Sequence, residues 1–151
     1  MSAKLAHCHR HERGMTLIEL LTVMVILAVL SSVAVASYRS YMIRANRTDG
    51  RTTLLRIQVA EEKFFLQNNT YTTELGPTGL RISKTDATSM DTPAGFYTVK
   101  VVKGSTNDIA SSYSASATAQ SGQTKDTSAC LTLTIDDQGQ KTPGDSSGCW
   151  K

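Results

Sequence analysis

The hydropathy pattern contains one long uninterrupted apolar run, MTLIELLTVMVILAVLSSVAVA, at residues 15–36. Glu19 is the single charged residue among these 22 positions. A helix of this length spans about 33 Å, roughly the thickness of the hydrocarbon core of a bilayer. The pattern therefore predicts a transmembrane helix. An unpaired carboxylate in lipid costs several kcal/mol, so Glu19 is a functional candidate that needs a partner.

Residues 37–67 follow with the pattern of an amphipathic helix. Two adjoining apolar stripes occur at helical spacing, one with Leu54, Ile57 and Phe64 and the other with Leu55, Val59 and Leu66. No proline interrupts this stretch and Gly50 is its only glycine, so we predict that it continues the membrane helix. Glu61 and Glu62 are expected to form a solvated pair rather than a catalytic dyad, because adjacent helix positions point in different directions.

The C-terminal half carries strand signals behind a long loop. Residues 70–95 are rich in Thr, Ser, Gly and Pro, which predicts a surface connection. Alternating or β-branched segments follow at 96–102, 112–119 and 131–135, with a short return strand at 140–142. The segment DDQG at 136–139 predicts a turn, with a calcium site as the disfavoured alternative. The expected fold class is α+β, a long N-terminal helix whose second half packs on an antiparallel sheet of about four strands.

Length and charge limit the classes of function. The 151 residues correspond to one domain, and the formal net charge is +3. Removing Lys4, Arg10, Glu12 and Arg13 leaves 13 basic and 12 acidic residues. This balance gives no bulk electrostatic argument for nucleic-acid binding.

A charged N-terminal segment ends at Gly14, directly before the apolar run. The segment from Gly14 onward, GMTLIEL, resembles the processing and assembly signature of type IV prepilins and type II secretion pseudopilins. The resemblance implies that prepilin peptidase removes residues 1–14 as a leader and that the new terminus, Met15, is N-methylated. It also implies that Glu19 pairs with the terminal amine of a neighbouring subunit, which would offset the desolvation of the carboxylate.

Three positions depart from the family pattern. Met15 stands where the family usually has Phe, and Ala28 and Ala36 stand where many members have Gly and Pro. Alanine is the strongest helix former, whereas Gly and Pro weaken a helix locally. We therefore expect the helix to continue across both alanines.

All three histidines of the chain, His7, His9 and His11, lie around Cys8 in the predicted leader. They are a candidate metal cluster by composition, but a removable basic leader is the favoured interpretation. The processed chain would then contain no histidine, which excludes a His-dependent triad and imidazole acid–base catalysis. We expect no catalytic residue, no metal and no cofactor in the mature protein.

Cleavage and topology each leave an alternative. The segment AVA at 34–36 before Ser37 is also a secretory cleavage pattern, although the run is long for a signal peptide and Glu19 would then have no role. The five arginines that follow the run would place residues 37–151 in the cytoplasm by simple counting. Two cysteines near the C-terminus favour an oxidising compartment instead. The resemblance agrees with the cysteines and implies an inner-membrane anchor with a periplasmic domain at 37–151, followed by an extracellular pilus after assembly.

Cys130 and Cys149 lie near the C-terminus with 18 residues between them. In type IV pilins a C-terminal disulfide bounds a surface region beside the sheet, and the resemblance implies that these two cysteines form it. A loop of this size is worth about 3 kcal/mol in the chain-entropy model. Two free thiols are the alternative, and the absence of a CxxC motif argues against a redox role.

The resemblance extends over the whole chain, and the ending at 141–150 is similar to PilE-like minor pilins. It implies a structural subunit of a type IV pilus rather than an enzyme, with roles in pilus biogenesis, twitching motility and adhesion. The implied partners are other pilin subunits, major and minor, prepilin peptidase, the inner-membrane assembly machinery and the inner membrane before assembly.

Arg44, Arg47 and Arg51 recur at spacings of three and four on one helical face. A solvated basic face is the simplest interpretation, and contacts with subunits, lipid phosphates or DNA phosphates are the others. Two further functions stay open beside the pilus subunit, a type II secretion pseudopilin and a DNA-receptor pilin for competence. An enzyme anchored by the helix is the least favoured.

Overall fold

The computed structural model describes residues 14–151. Residues 1–13 of the predicted leader, which include His7, His9 and His11, lie outside this range. The chain divides into two compact units at the boundary between Tyr38 and Arg39. The regular elements are α1 Leu17–Asn68, β1 Ser89–Asp91, β2 Tyr97–Lys103, β3 Tyr113–Ala119, β4 Thr132–Asp136 and β5 Lys141–Thr142. Short 3₁₀ helices lie at Ser121–Lys125, Ser128–Cys130 and Asp145–Ser147.

The first unit contains the apolar part of α1. Its large apolar side chains are exposed in the single chain, with Leu17 at 84%. The Thr16 hydroxyl accepts the backbone N–H of Glu19 at 3.3 Å and so caps the first turn. The helix continues through Ala28 and Ala36, in agreement with the prediction from the absence of Gly and Pro. By length and composition this segment could cross a membrane.

The second unit contains the core, in which one face of α1 packs against the sheet. Leu54 and Ile57 of the first predicted stripe are fully buried. The second predicted stripe stays outside, with Leu55, Val59 and Leu66 exposed at 41%, 71% and 85%. The helix therefore has one apolar face in the core and another at the surface of the single chain.

The sheet is an antiparallel meander in which each strand pairs with the next, in the order β1-β2-β3-β4-β5. The register places Val99 opposite Ala117 and Ala117 opposite Leu133, and all three side chains are fully buried in the core. The α+β prediction is confirmed. The sheet has five strands because β1 forms within the segment that was predicted to be a loop.

Gly50 marks a close approach between α1 and the sheet. A Cβ at this position would lie 3.1 Å from ring atoms of Tyr97, and Tyr97 is fully buried. A glycine in a helix interior costs about 1 kcal/mol relative to alanine. Packing against the tyrosine ring explains why glycine occupies this position although the helix is not broken.

The αβ loop, residues 69–88, is packed against the core. Leu75 is fully buried and Leu80 is 8% exposed. Its backbone is closed by internal hydrogen bonds, because the Leu75 N–H donates to the Ala87 carbonyl at 2.9 Å and the Ile82 N–H donates to the Leu75 carbonyl at 2.9 Å. The predicted connection is present, but its leucines make it a part of the core.

The C-terminal segment is fastened by a disulfide between Cys130 and Cys149, which confirms the expected C-terminal bridge. The predicted DDQG turn joins β4 to β5. Asp136 Oδ1 accepts the N–H of Gln138 at 3.0 Å and the N–H of Gln140 at 2.7 Å. The first carboxylate of this turn is therefore used to close it.

Candidate functional site

The predicted processing residues lie at the start of α1. Gly14 and Met15 are exposed and precede the helix, which begins at Leu17. Glu19 lies in the first turn and is exposed in the single chain. A helix N-terminus carries a partial positive charge that favours a nearby carboxylate. This geometry leaves the Gly14–Met15 bond outside the helix and Glu19 accessible to another chain.

The structure separates the three arginines that were predicted to form a basic face. Arg47 is 8% exposed and makes two hydrogen bonds to Asp126, from Nε at 2.8 Å and from Nη2 at 2.6 Å. Its Nη1 also donates to the Gly148 carbonyl at 3.3 Å. Arg47 therefore joins α1 to the segment between β3 and β4 and to the C-terminal segment. This corrects the expectation that its charge is displayed on the surface.

Arg44 and Arg51 keep positions nearer the surface. Arg44 is exposed and Arg51 is half-buried. Arg51 donates to Thr48 Oγ1 at 2.9 Å and to the backbone carbonyl of Lys151. Two of the three predicted arginines thus remain accessible, and they flank the buried Arg47.

Asp126 and Gln123 extend the Arg47 contact into a buried polar network. Gln123 is 1% exposed, and its amide nitrogen donates to the Ile43 carbonyl at 2.9 Å, the Tyr97 hydroxyl at 3.1 Å and Asp126 Oδ2 at 3.1 Å. Burial raises the pKa of Asp126, but hydrogen bonds led by that from Arg47 outweigh it, so the net pKa is lowered. Sequence reasoning missed this network because 79 positions separate Arg47 from Asp126.

An open groove of about 830 Å³ lies between α1 and the αβ loop. Arg56 and Lys63 of α1 and Arg81 of the loop line it, and none of its lining residues is Asp or Glu. The exposed Leu55 and Val59 add apolar surface. This site, defined by these five residues, is termed the basic groove. Cations gathered in a concave site attract a polyanion more strongly than the same charges dispersed over a surface.

Arg81 is held at a defined position in the αβ loop. Its φ of 58° lies in the left-handed region, which costs a non-glycine residue about 1 kcal/mol or more. Its N–H donates to the Gly76 carbonyl at 2.8 Å, which also accepts the N–H of Gly79 at 3.0 Å. Sequence reasoning did not single out Arg81, Arg56 or Lys63, because the loop and the helix meet only in the folded domain.

Glu61 is fully buried, which corrects the expectation of a solvated Glu61–Glu62 pair, since only Glu62 is exposed. The Thr72 N–H donates to Glu61 Oε2 at 3.1 Å, while Oε1 has no hydrogen-bond partner within the described residues. Burial raises the pKa of Glu61 to about 7, the Thr72 hydrogen bond opposes the rise, and the charge of Glu62 adds to it. The carboxyl is therefore partly protonated at neutral pH.

Aromatic rings pack around the start of the αβ loop near Glu61. Phe65 and Tyr71 stack with their centroids 4.6 Å apart, and Tyr71 meets Tyr113 edge-on at 4.9 Å. Burial raises the pKa of Tyr113, and the charge of Glu61 contributes to the rise. The two tyrosines interact electrostatically with Glu61, and no positively charged group contributes to the pKa of its carboxyl.

The described residues assemble no metal site. Within residues 14–151, no group of three or more His, Cys, Asp or Glu side chains is placed to hold a metal ion. The same range contains no histidine. The candidate functional features in this range are the exposed Glu19, the basic groove and the buried Glu61.

Two family profiles match the chain. Residues 9–35 match the profile described as prokaryotic N-terminal methylation motif. Residues 36–134 match the profile described as type IV minor pilin ComP, DNA uptake sequence receptor. The chain is also similar to the type IV major pilin protein PilA of Myxococcus xanthus (strain DK1622), with 30% identity over 59 residues. That alignment covers 39% of this chain and 27% of the relative, so the chain spans about a quarter of its length.

The second profile covers residues 36–134 of a chain of 151, which is well over half of it. The fold agrees with this match, because a long N-terminal helix packs on an antiparallel sheet and a disulfide fastens the C-terminal segment. The expected membership of the type IV pilin family is confirmed. The chain belongs to the family of type IV minor pilins described as ComP, DNA uptake sequence receptor, and is a minor pilin subunit.

Proposed function

We propose that this minor pilin is made as a prepilin with a leader at residues 1–14, a transmembrane and assembly helix at 15–36 and a periplasmic domain at 37–151. Prepilin peptidase cuts between Gly14 and Met15, and the Met15 amine is methylated. The inner-membrane assembly machinery then adds the subunit to the pilus, where it contacts other pilins and supports pilus biogenesis, twitching motility and adhesion. The supporting observation is the exposed bond before an exposed apolar helix.

Glu19 directs the assembly step in this proposal. Its carboxylate, in the first turn of α1, pairs with the methylated amine of a neighbouring subunit. Either charge alone in lipid is unfavourable by several kcal/mol, whereas the pair offsets the desolvation of both groups. Removing Glu19 therefore penalises insertion of the helix beside a neighbour's amine.

Mass spectrometry of the chain recovered from sheared pili tests the processing, and methylated Met15 is the expected terminus. A chain that begins at Ser37 would contradict it. The Glu19→Leu variant should still be cleaved but should enter pili at least about tenfold less, because tenfold corresponds to only about 1.4 kcal/mol. Ser32→Ala, a change in the same apolar helix, is the control. Incorporation of Glu19→Leu at the level of the control would remove the assembly role.

A second function is favoured by the basic groove, which we propose binds DNA phosphates. The family to which the chain belongs is described as a DNA uptake sequence receptor. The groove brings Arg56, Lys63 and Arg81 together without an acidic lining residue. Arg44 and Arg51 are the alternative contacts, because they are the accessible members of the predicted basic face.

Fluorescence anisotropy of labelled duplex DNA with residues 39–151, which contain the whole core, tests this function. Three phosphate contacts give a slope of log Kd against log salt of about 2.7, and each groove cation changed to Gln should reduce the slope by about one. Lys100→Gln removes the same charge from an exposed position of β2 and is the matched control.

Each outcome of the binding experiment has one meaning. If wild-type protein does not bind DNA, the DNA function is wrong. If it binds and the triple variant of Arg56, Lys63 and Arg81 binds equally well, the groove is not the site. Weakening by Arg44→Gln and Arg51→Gln would then assign the binding to the face beside Arg47.

A type II secretion pseudopilin shares the N-terminal signature, but the match of residues 36–134 to a type IV minor pilin profile favours the pilus. Deletion of the gene should reduce piliation or twitching and leave type II secretion unchanged. Loss of secretion with normal pili would favour the pseudopilin instead.

A further inference from the structure

Glu61 is a buried carboxyl that neither the proposed assembly step nor the basic groove uses. It is 0% exposed, and its Oε2 accepts the backbone N–H of Thr72 at 3.1 Å. Thr72 lies near the start of the αβ loop, 11 positions along the chain from Glu61. One carboxyl therefore ties the last part of α1 to the loop that forms the opposite side of the basic groove.

The loop has few other polar attachments at this point. The Tyr71 N–H donates to the Ile109 carbonyl at 3.3 Å, a long hydrogen bond by normal standards. At the first residue of the loop, the Asn69 N–H donates to the Phe65 carbonyl of α1 at 2.7 Å, and the Tyr71 ring packs between Phe65 and Tyr113. The hydrogen bond to Glu61 is thus a substantial part of what holds the beginning of the loop on the helix.

The titratable groups around Glu61 come from several elements, and none of them is a base. Glu62 follows it on α1, Tyr71 lies in the αβ loop and Tyr113 lies on β3, while Asp137, in the turn between β4 and β5, acts on the two tyrosines. Ionisation of Glu61 therefore gains no opposite charge, and burial raises its pKa to about 7. No histidine occurs in the described part of the chain, so no imidazole titrates there in the same range.

We propose that Glu61 positions the αβ loop while its carboxyl is neutral and releases the loop as it ionises, so that one side of the basic groove loosens between mildly acidic and neutral pH. Ionisation strengthens the hydrogen bond from Thr72, but the desolvation of a buried carboxylate is the larger effect. Opening of the loop lets the carboxylate reach water, where its pKa returns toward 4.5. The closed loop binds more protons than the open loop. The contribution of Glu61 to the free energy of loop closure is therefore fully present below about pH 4.5 and is lost as the pH rises through about 7.

Hydrogen exchange of the full chain in detergent micelles tests this inference. Protection of the backbone amides in residues 70–82, corrected for intrinsic exchange rates, should fall roughly 40-fold between about pH 5 and about pH 7 and then level off, as expected for a carboxyl pKa of about 7. The Glu61→Gln variant keeps a neutral acceptor for the Thr72 N–H, so its protection should stay constant. Glu62→Gln removes the carboxylate at the adjacent exposed position, whose charge contributes to the raised pKa of Glu61, so the fall in protection should persist in this variant and move to slightly lower pH.

A fall that persists in Glu61→Gln would overturn the inference, and so would constant protection in the wild type. If Glu61→Gln does not fold, a carbon-13 NMR titration of the Glu61 side-chain carboxyl in the wild type decides instead. A midpoint near 7 supports the inference, and a midpoint near 4.5 overturns it. Absence of DNA binding would refute only the proposed function of the groove, because hydrogen exchange measures the loop directly.

Discussion

At the scale of single residues, a buried ion pair between Arg47 and Asp126 joins helix α1 to the rest of its domain. The two side chains are 10% and 2% exposed. Burial of two charges costs more than their attraction returns unless hydrogen bonds satisfy both groups. The Gly148 carbonyl and the Gln123 amide supply additional hydrogen bonds, one to each partner. The pair is therefore stable only as a complete network.

Replacement of Arg47 by Met should lower the free energy of unfolding by about 3–5 kcal/mol, because Asp126 is left buried without its partner. Urea denaturation of residues 39–151 at neutral pH measures the loss. Arg44→Met is the matched control and should change the free energy by less than about 0.5 kcal/mol, since Arg44 is exposed. A loss for Arg47→Met no larger than that of the control would show that the pair contributes nothing net.

The ion pair between Arg47 and Asp126 also predicts that the stability of the domain decreases at acidic pH. The pKa of Asp126 is lowered below 3.8 in the folded protein. The contribution of Asp126 to the free energy of unfolding is therefore present above this value and is lost as the pH falls through the folded-state pKa. Wild-type stability should therefore decrease below about pH 4 more steeply than that of Asp126→Asn. Parallel acid profiles for the two proteins, measured by thermal unfolding, would contradict the ion pair.

At the scale of elements, helix α1 carries two apolar faces with different surroundings. Ile57 is fully buried between the helix and the sheet, whereas Val59, two positions later, is 71% exposed. The outward face also contains Leu55 and Leu66. The inward face contributes to the stability of the domain, and the outward face lines the basic groove at Leu55 and Val59.

Truncation of the two faces should give different results. Ile57→Ala should lower the free energy of unfolding by about 2–5 kcal/mol, because it leaves a cavity in the core. Val59→Ala should change it by less than about 0.5 kcal/mol, because the side chain is in solvent. Thermal and urea unfolding of residues 39–151 measure both. Equal losses in the free energy of unfolding for the two variants would mean that α1 is rotated about its axis and presents a different face to the sheet.

At the scale of the whole molecule, the core belongs entirely to the unit that begins at Arg39. Its buried apolar residues lie between Leu54 and Cys149, and the disulfide closes the C-terminal segment of the same unit. Among the side chains that the structure describes, none from the part of α1 before Tyr38 belongs to this core. Folding of the domain and membrane anchoring are thus properties of different parts of the chain.

Residues 39–151 should therefore be soluble without detergent and should unfold in one cooperative transition. Replacement of both Cys130 and Cys149 by Ser should lower their free energy of unfolding by about 3 kcal/mol, the chain-entropy value for this loop. Circular dichroism with thermal denaturation measures both properties. A fragment that aggregates or melts without a cooperative transition would show that the preceding helix is needed for folding.

The buried face of α1 shows how far the sequence alone could lead. This face runs through positions 47, 50, 54, 57, 61 and 64. The apolar pattern predicted that Leu54, Ile57 and Phe64 are directed inward, but it joined them to the second stripe in one broad apolar face, and the second stripe is exposed. Arg47 and Glu61 occupy the same face. Their spacing was a signal that both are directed inward, but a charged residue on an apolar face is ambiguous until its partner is known.

The sequence by itself determined the membrane-length run with Glu19, the unbroken helix, the three main strands and the DDQG turn, because each depends on residues that are neighbours along the chain. The resemblance to type IV pilins added the disulfide and the prediction of a processing site, which stays a prediction. Only the tertiary structure decided that Arg47 meets Asp126, that Arg56, Lys63 and Arg81 share one groove, and that Glu61 is buried under the αβ loop. The physical reason is that periodicity shows which face of an element avoids water, whereas charge and pKa depend on which distant segment covers that face.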